Sequence, residues 1–194
     1  MENDTITLGR YPQKLDSEKE AIEWIVLKKE KDRYLCISKH LLDCKPYHEV
    51  SEKVTWADCT LRKWLNNEFL ITAFSPEEQK KILPSNVKNP KKDTLDCIFL
   101  LCYDEAERYF LFEERGALTT PYARSQGAWF VDEKCEDDYK GGWWLRYCGK
   151  EYEDNEAEYD FISCVNFDGY IERAAQGVED TDCCIRPAFW LKTE

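Results

Sequence analysis

The chain reads as α+β, a mixed or antiparallel sheet carrying short helices, on three observations. Alternating β-rich runs open and close it, helical spacing is confined to its middle, and the junctions carry turn or cap residues. No repeat, low-complexity segment or Gly/Ser linker interrupts the 194 residues, which are therefore read as one domain, 1–194. Its helix-rich middle runs from about 58 to 126 and a strand-and-loop C-terminal part from about 127 to 194.

The elements follow in order. "TITLGRYPQ" is a first strand ended by Pro12, and "AIEWIVLKKEKDRYLCISK" is a hairpin of two β-rich runs around the polar turn "KKEKDR". In "CTLRKWLNNEFLITAF" the residues Leu61, Trp64, Leu65, Phe69 and Phe74 recur near helical spacing, with Thr60 as N-cap. "SPEEQKKIL" then places Ser75 at the N-cap, Pro76 at the first helical position and Glu78 three residues on, a capping box. "LDCIFLL" is a short apolar strand feeding the helix "YDEAERYFLF", whose acidic first turn suits the positive end of the helix dipole. "PYARSQG" is a helix started by Pro121 and stopped by Gly127. Beyond it "WWLRY", "DFISCVNF", "GYIERA" and "CCIRPAFWL" are short strands, with Asp168-Gly169 a hairpin turn between two of them. The sheet is expected to be shared by the two termini.

Composition narrows the function. Asp plus Glu number 39 against 27 Lys plus Arg, a net charge of -12. So acidic a body repels phosphate backbones, which argues against nucleic-acid or anionic-membrane partners. The opening "MENDTITLGR" has no apolar core, and no run approaches the roughly 20 apolar residues that span a bilayer. The ten cysteines are accordingly expected as thiols in a reducing cytoplasm.

Four features carry candidate chemistry. In "GGWWLRYCG" alternation sets Trp143, Leu145 and Tyr147 on one face and Trp144 and Arg146 on the other. One reading is structural, with a Trp in the core and Arg146 paired to a carboxylate; the other makes Trp144 and Arg146 a pocket with a ring face and a fixed fork for an anion. The structural reading is preferred. Arg186 in "CCIRPAFWL" follows the same logic, and an ion pair closing the two halves of the sheet is preferred over ligand contact. Pro187 requires an edge position or a bulge. The acidic loops "VDEKCEDDYK" and "KEYEDNEAEYD" flank the Gly-Gly-Trp strand. Glu153, Asp154, Asn155 and Glu156 supply oxygen ligands suited to calcium, but without EF-hand spacing the preferred reading is a solvated loop. Finally, His40 and His48 bracket Cys44, which gives three zinc-type ligands without an evident fourth, or a Cys–His pair.

The ordered segments "LGRYPQ", "IEWIVL", "ISKHLLDCKPYHE", "TWADCTLRKWLNNEFLITAFSPEEQKKI", "IFLLCYDEAERYF", "YARSQGAW", "GGWWLR" and "IRPAFWL" resemble a bacterial domain family of unknown function, number 6273, common in Firmicutes and gut-type sequences. The resemblance covers nearly the whole chain and implies no established activity. Against that family's pattern, Tyr147 and Cys148 stand where Ser usually follows the arginine. Cys184-Ile185 stands for Gly-Val, and Cys102 stands where a capping Ser is typical. More distantly, the order of a Glu-rich helix start, a Gly-Gly-Trp strand, polar loops and a terminal Arg strand is similar to C-type-lectin-like folds. The formylglycine-generating-enzyme-like proteins and the variable proteins of diversity-generating retroelements belong to that group. This likeness implies a lectin-like C-terminal part whose late loops form a ligand face.

The expectation is therefore a non-catalytic ligand- or protein-binding module. Its face is built from loops around 131–142, 147–160 and 166–180, with Trp144, Arg146, Tyr147, Asn155, Asn166, Asp168 and Arg173 as contacts. No cofactor is expected, calcium being the one ion considered, and the partner is a protein or a small molecule. The alternatives are a cysteine-dependent enzyme using Cys44 with His48, or Cys183 or Cys184, and an acidic interaction subunit working by charge.

Overall fold

The structure, a computed structural model, describes residues 4–16, 18–132, 139–147 and 161–193. The chain is α+β and its ladders are almost all antiparallel, as the strand-rich ends and helical middle require. A first sheet has the strand order Thr5–Pro12, Lys19–Lys29, Arg33–Ser38, Ala188–Lys192, Ile82–Leu83. A second runs Ile171–Gly177, Phe161–Val165, Trp143–Trp144, Cys184–Ile185, Asp43–Cys44. N- and C-terminal segments thus share the first sheet, where Ala188–Lys192 pairs with Arg33–Ser38.

One ribbon threads both sheets. Its two sides are residues 33–44 and 184–192, paired in the first sheet as Ile37 with Ala188 and in the second as Cys44 with Cys184. Between the strand ends four residues, 39–42, oppose only Arg186 and Pro187, so the ribbon bends. Proline has no N–H for a ladder, and the bend is where none is needed. The Pro187 carbonyl still accepts from Ser38 N at 2.9 Å. The run "CCIRPAFWL" is therefore two strands in two sheets rather than one.

The first sheet packs on the middle helices. Thr60–Trp64, Leu65–Phe69 and Leu70–Ala73 follow one another without a break, the central five residues forming a π-helical turn. Leu61, Leu65, Phe69 and Ala73 are all buried. A strict four-residue spacing drifts around an α-helix of 3.6 residues per turn, and the wider π turn returns Phe69 and Ala73 to the core side. The same turn carries Asn66, whose amide donates to Ile98 O at 2.8 Å while its oxygen accepts from Cys97 N at 2.8 Å. The N-cap is Cys59, whose sulfur accepts from Arg62 N. The expected cap, Thr60, instead accepts from Glu49 N at 3.1 Å.

Trp24 anchors this layer. Its ring lies 4.6 Å from Phe189 and 5.9 Å from Phe74 between centroids, and its indole N–H donates to Leu8 O at 2.8 Å. Burying one such ring removes about 150–250 Å² from water, about 4–6 kcal/mol at 25 cal/mol per Å². An exposed ion pair such as Lys14–Glu20 is screened by water and adds little by comparison. Rings, not surface charges, hold the layer. The described buried hydrophobics of both sheets belong to one packed cluster.

The capping box forms as expected. Ser75 Oγ accepts from Glu78 N at 3.3 Å and Glu78 Oε2 accepts from Ser75 N at 2.8 Å, although the helix spans only Pro76–Gln79. The other Glu78 oxygen accepts from Gly9 N at 2.9 Å. Gly9 sits at the register break of the first strand with φ of 72°, and a Cβ there would lie 2.7 Å from Ala73 O. Left-handed strain and overpacking act together at that point. Gly9→Ala is expected to lower stability by about 2–4 kcal/mol, read as a shift in the urea midpoint at constant slope; an unchanged midpoint would show that the bulge relaxes freely.

Candidate functional site

The strand Trp143–Trp144 is covered on both sides. Trp143, Trp144 and Leu145 show no exposure, Arg146 is 1% exposed and Tyr147 is 8% exposed. Trp144 donates its indole N–H to Lys45 O at 2.9 Å, and Trp143 donates to Arg115 O at 3.1 Å. Arg146 donates to Asn89 Oδ1 at 2.9 Å, Glu105 Oε2 at 3.1 Å and Lys88 O at 3.2 Å, and also to Leu100 O. Phe99 and Tyr147 face its guanidinium. Trp144, Arg146 and Tyr147 therefore stand in the core rather than on an open pocket wall. Burial raises the Tyr147 hydroxyl pKa, with the Cys102 thiol adding to the effect.

Arg186, 2% exposed, fills the bend of the ribbon. It donates to Ser38 O at 3.1 Å and Arg115 O at 3.0 Å, between the rings of Phe110 and Trp143. It joins the two sheets as expected, but through carbonyls and ring faces: no carboxylate pairs with it among the described residues. Burial pulls its pKa down to about 9, which leaves it cationic at neutral pH.

The turn after Phe161–Val165 is the exposed counterpart. Asn166 N donates to Tyr170 O at 2.8 Å, Gly169 N to Asn166 O at 3.0 Å, and Asp168 Oδ1 accepts from Tyr170 N at 2.9 Å. Asp168 thus braces the turn that its sequence announced. Gly169 has φ of 89°, and a Cβ there would meet Phe112 O at 2.3 Å, so the turn lies hard against the helix Phe112–Arg115. Asn166 Oδ1 faces the Cys164 thiol at 3.6 Å. Arg173 stacks on Tyr103, 4.1 Å from the ring centroid. Asn155 and the acidic segment 150–160 lie outside the described residues, as do residues 133–138 of the loop 131–142.

Clefts open on both sides of this turn. One, of 230 Å³, is lined by Trp129, Gly142, Asn166, Phe167, Gln176 and Asp182, with two cysteine thiols. The other, of 490 Å³, lies among Tyr103, Phe112, Arg115, Tyr170 and Arg173 with two glutamates. Trp129 and Phe167 touch at 5.5 Å between centroids. Trp129, Phe112 and Tyr170 are roughly half exposed, at 49%, 47% and 57%, and Phe167 is 39% exposed. Four large rings on one edge are more apolar surface than scattered exposure explains. Two of them, Phe167 and Tyr170, flank Asp168-Gly169, and rings beside a turn dipeptide are the sequence signal that would have found this edge.

Cys44 and His48 are each engaged elsewhere. Cys44 donates its thiol to Thr181 O and Cys183 O at 3.0 and 3.2 Å. His48 accepts from Thr60 N at Nδ1 and meets Glu52 at Nε2, so neither ring nitrogen serves Cys44. Burial pushes the thiols of Cys36 and Cys59 up to about 12 and raises Cys102 and Cys183; contact with the Cys44 thiol, then burial, raises Cys184. Among the described residues no three His, Cys, Asp or Glu converge as a metal site, His40, Cys44 and His48 included.

The model of a family described as a domain of unknown function (DUF6273) matches residues 31–193. No curated protein and no solved structure matches the chain. Among the described residues no helix is long and apolar enough to cross a membrane.

Glu105 is the counter-charge to Arg146. Burial opposes its ionisation, but the adjacent guanidinium and the Cys102 N–H, 2.9 Å away, outweigh that and hold its pKa below 4.5. A carboxylate with a depressed folded pKa stabilises above its unfolded value and loses that contribution as pH falls through the folded one. Glu105→Gln should cost about 2–4 kcal/mol at pH 7. That is less than for a fully buried pair because Glu105 keeps 30% of its side chain exposed. Below pH 4.5 the difference between variant and wild type should shrink, as denaturant titrations at pH 7 and pH 3 will measure.

Proposed function

The chain belongs to the domain family DUF6273, whose activity is unknown, and from that premise we propose that it is a non-catalytic binding module. Its recognition face is the edge formed by the turn 166–170, the following strand to Arg173, and the rings of Trp129, Phe167, Phe112 and Tyr170. One observation carries the reading: four rings, each 39% exposed or more, flank two clefts beside the turn at the end of the second sheet. Rings with few rotatable bonds give contact area at small entropic cost, and Asn166, Asp168, Gln176 and Arg173 add polar recognition around them. Asn166, Asp168 and Arg173 thus keep the contact role expected of them. Trp144, Arg146 and Tyr147 act by fixing the strand beneath.

The lectin-like kinship belongs to this proposal. It is supported by a sheet shared between N- and C-terminal segments and by a face placed on the late turns of the C-terminal part. The ligand is a small molecule or a protein presenting apolar surface rather than a polyanion, given a net charge of -12. The proposal needs no cofactor, and it places the protein in the cytoplasm, where its thiols stay reduced.

The test is a glycan, peptide and metabolite array probed with wild type and with the double variant Trp129→Ser, Phe167→Ser. The two rings are exposed, so the variant should unfold within about 4 °C of wild type. Signals that define the wild-type profile should fall tenfold or more, and should change little between 50 and 300 mM salt. A profile that survives the double substitution but collapses with salt would assign recognition to the acidic surface instead.

A further inference from the structure

The smaller cleft differs from the larger one in its charge. Two exposed rings, Trp129 and Phe167, line it with one exposed carboxylate, Asp182, two amides, Asn166 and Gln176, and two buried cysteines. Among the described residues that line it none is Lys or Arg, whereas the larger cleft has two arginines. The backbone fixes these groups. Trp129 N donates to Asp182 O at 2.9 Å, which ties the segment that carries one ring to the segment that carries the carboxylate. Phe167 stands in the turn closed by Asn166 and Tyr170, and a Cβ on Gly116 would meet its carbonyl at 2.8 Å. The two rings lie 5.5 Å apart between centroids with 52° between their planes. The side chains themselves are not spent on the fold. Among the described residues neither the Asp182 carboxylate nor the Gln176 amide forms a side-chain hydrogen bond or ion pair. The chain carries a net charge of -12, so the field around such a mouth favours a cation.

We propose that this cleft binds the methylated ammonium head group of an organic cation, its methyl groups against Trp129 and Phe167 and its charge balanced by Asp182. The proposal rests on the binding-module reading and names the ligand class for one of its two clefts. Three features select that head group. The face of an aromatic ring attracts a cation within about 6 Å of its centroid, and two rings in contact serve one cation together. Asp182 supplies a counter-charge with no competing cation in the lining, so an anionic ligand would meet repulsion there with nothing to offset it. A primary ammonium brings three N–H donors to be satisfied, and the lining is poor in free acceptors, because Asn166 Oδ1 already faces the Cys164 thiol at 3.6 Å. A quaternary nitrogen has no N–H to satisfy and presents methyl groups to the rings. At 230 Å³ the cleft is smaller than the roughly 300–1,000 Å³ of drug-sized sites, so it accepts a head group rather than a large molecule.

The experiment is calorimetric titration of the full chain at pH 7 with choline, ethanolamine and 3,3-dimethyl-1-butanol. Ethanolamine keeps the charge of choline without its methyl groups, and dimethylbutanol keeps the methyl groups without the charge. Choline is expected to bind in the millimolar range or tighter, with each of the other two about tenfold weaker. Asp182→Asn should weaken choline about threefold or more. Phe167→Leu and Trp129→Leu, which keep apolar bulk and lose the ring face, should each do the same, while Phe167→Tyr should stay within about twofold of wild type. Lys63→Ala, in the separate hollow beside Trp64, should leave the affinity unchanged. Trp129, Phe167 and Asp182 are exposed, so these variants should unfold within about 4 °C of wild type. Should Trp129→Leu fail to fold, the Phe167→Leu and Phe167→Tyr pair and the dimethylbutanol comparison decide. A dipeptide carrying trimethyl-lysine presents the same head group as a side chain; if it binds more tightly than choline the source is a modified protein, and if less tightly a free metabolite. Undetectable binding of both quaternary probes, equal binding of dimethylbutanol, ethanolamine as tight as choline, or choline affinity indifferent to Asp182 and to both rings would each overturn the proposal. Array recognition through Trp129 and Phe167 without binding of a quaternary probe would sink this inference alone. Ring-dependent choline binding with array signals that survive loss of both rings would sustain it while moving the wider recognition face elsewhere.

Discussion

Two guanidinium groups lie inside this protein, and most of its irregular backbone is arranged around them. Arg146 and Arg186 are 1% and 2% exposed, and a buried cation without acceptors costs several kcal/mol. Even with its pKa lowered to about 9, Arg186 carries its charge at neutral pH. The acceptors come from segments far apart in sequence: Lys88, Asn89, Leu100 and Glu105 for Arg146, and Ser38 and Arg115 for Arg186. Every one of these segments is a bend, a strand end or a short helix. Long regular elements would have consumed their carbonyls in ladders; the short pieces leave carbonyls free to face inward. The short strands and two-residue pairings are in this sense the other half of the buried charge.

The two arginines are not equivalent. Arg146 has a carboxylate, so its pair with Glu105 responds to acid. Arg186 has carbonyls and two rings in place of a carboxylate. It sits in the ribbon that belongs to both sheets, at the point where Ser38 and Pro187 pass one another. A fixed positive charge at that crossing makes the relative placement of the sheets depend on the Arg115 carbonyl. The exposed edge is built directly on that residue, because Phe112 precedes it by one helical turn and Gly169 packs against both.

Much of the fold was legible because local chemistry decided it. Ser75 with Glu78, Pro121 with Gly127, and Asp168-Gly169 each form within a few residues and need no tertiary partner. The rest was set by long-range contacts. "CCIRPAFWL" alternates like one strand, and only pairing with 33–44 reveals that it turns a corner. The helix beginning at Thr60 reads as α, but the clamp between Asn66 and the backbone at Cys97 and Ile98 accompanies a π turn that no local signal announces. Cys59 displaced Thr60 at the cap because Thr60 is engaged with Glu49. For the candidate face, alternation placed Trp144 and Arg146 on an outer side. Period-2 patterning distinguishes two faces of a strand but does not say whether the second face is covered as well. Here both are covered, and the strand that carries the most conspicuous sequence contributes support. Asn166, Asp168 and Arg173 came from loop chemistry, which is local, and they stand at the edge that is open.

Arg115 departs from an otherwise satisfied set of buried side-chain nitrogens and oxygens among the described residues. Buried polar groups elsewhere find partners even where the geometry is demanding, as with Asp96, which accepts from Trp56, Arg62 and Thr94. A chain able to saturate that carboxylate and to seat two cations in its core is under no general constraint that forbids pairing one more nitrogen. The unpaired Nε is buried on Arg115, the residue whose carbonyl accepts from both Trp143 and Arg186. Rigidity of the backbone there prevents the side chain from relieving its own deficit by moving the helix. A donor equally unpaired on a loose loop would simply turn to water.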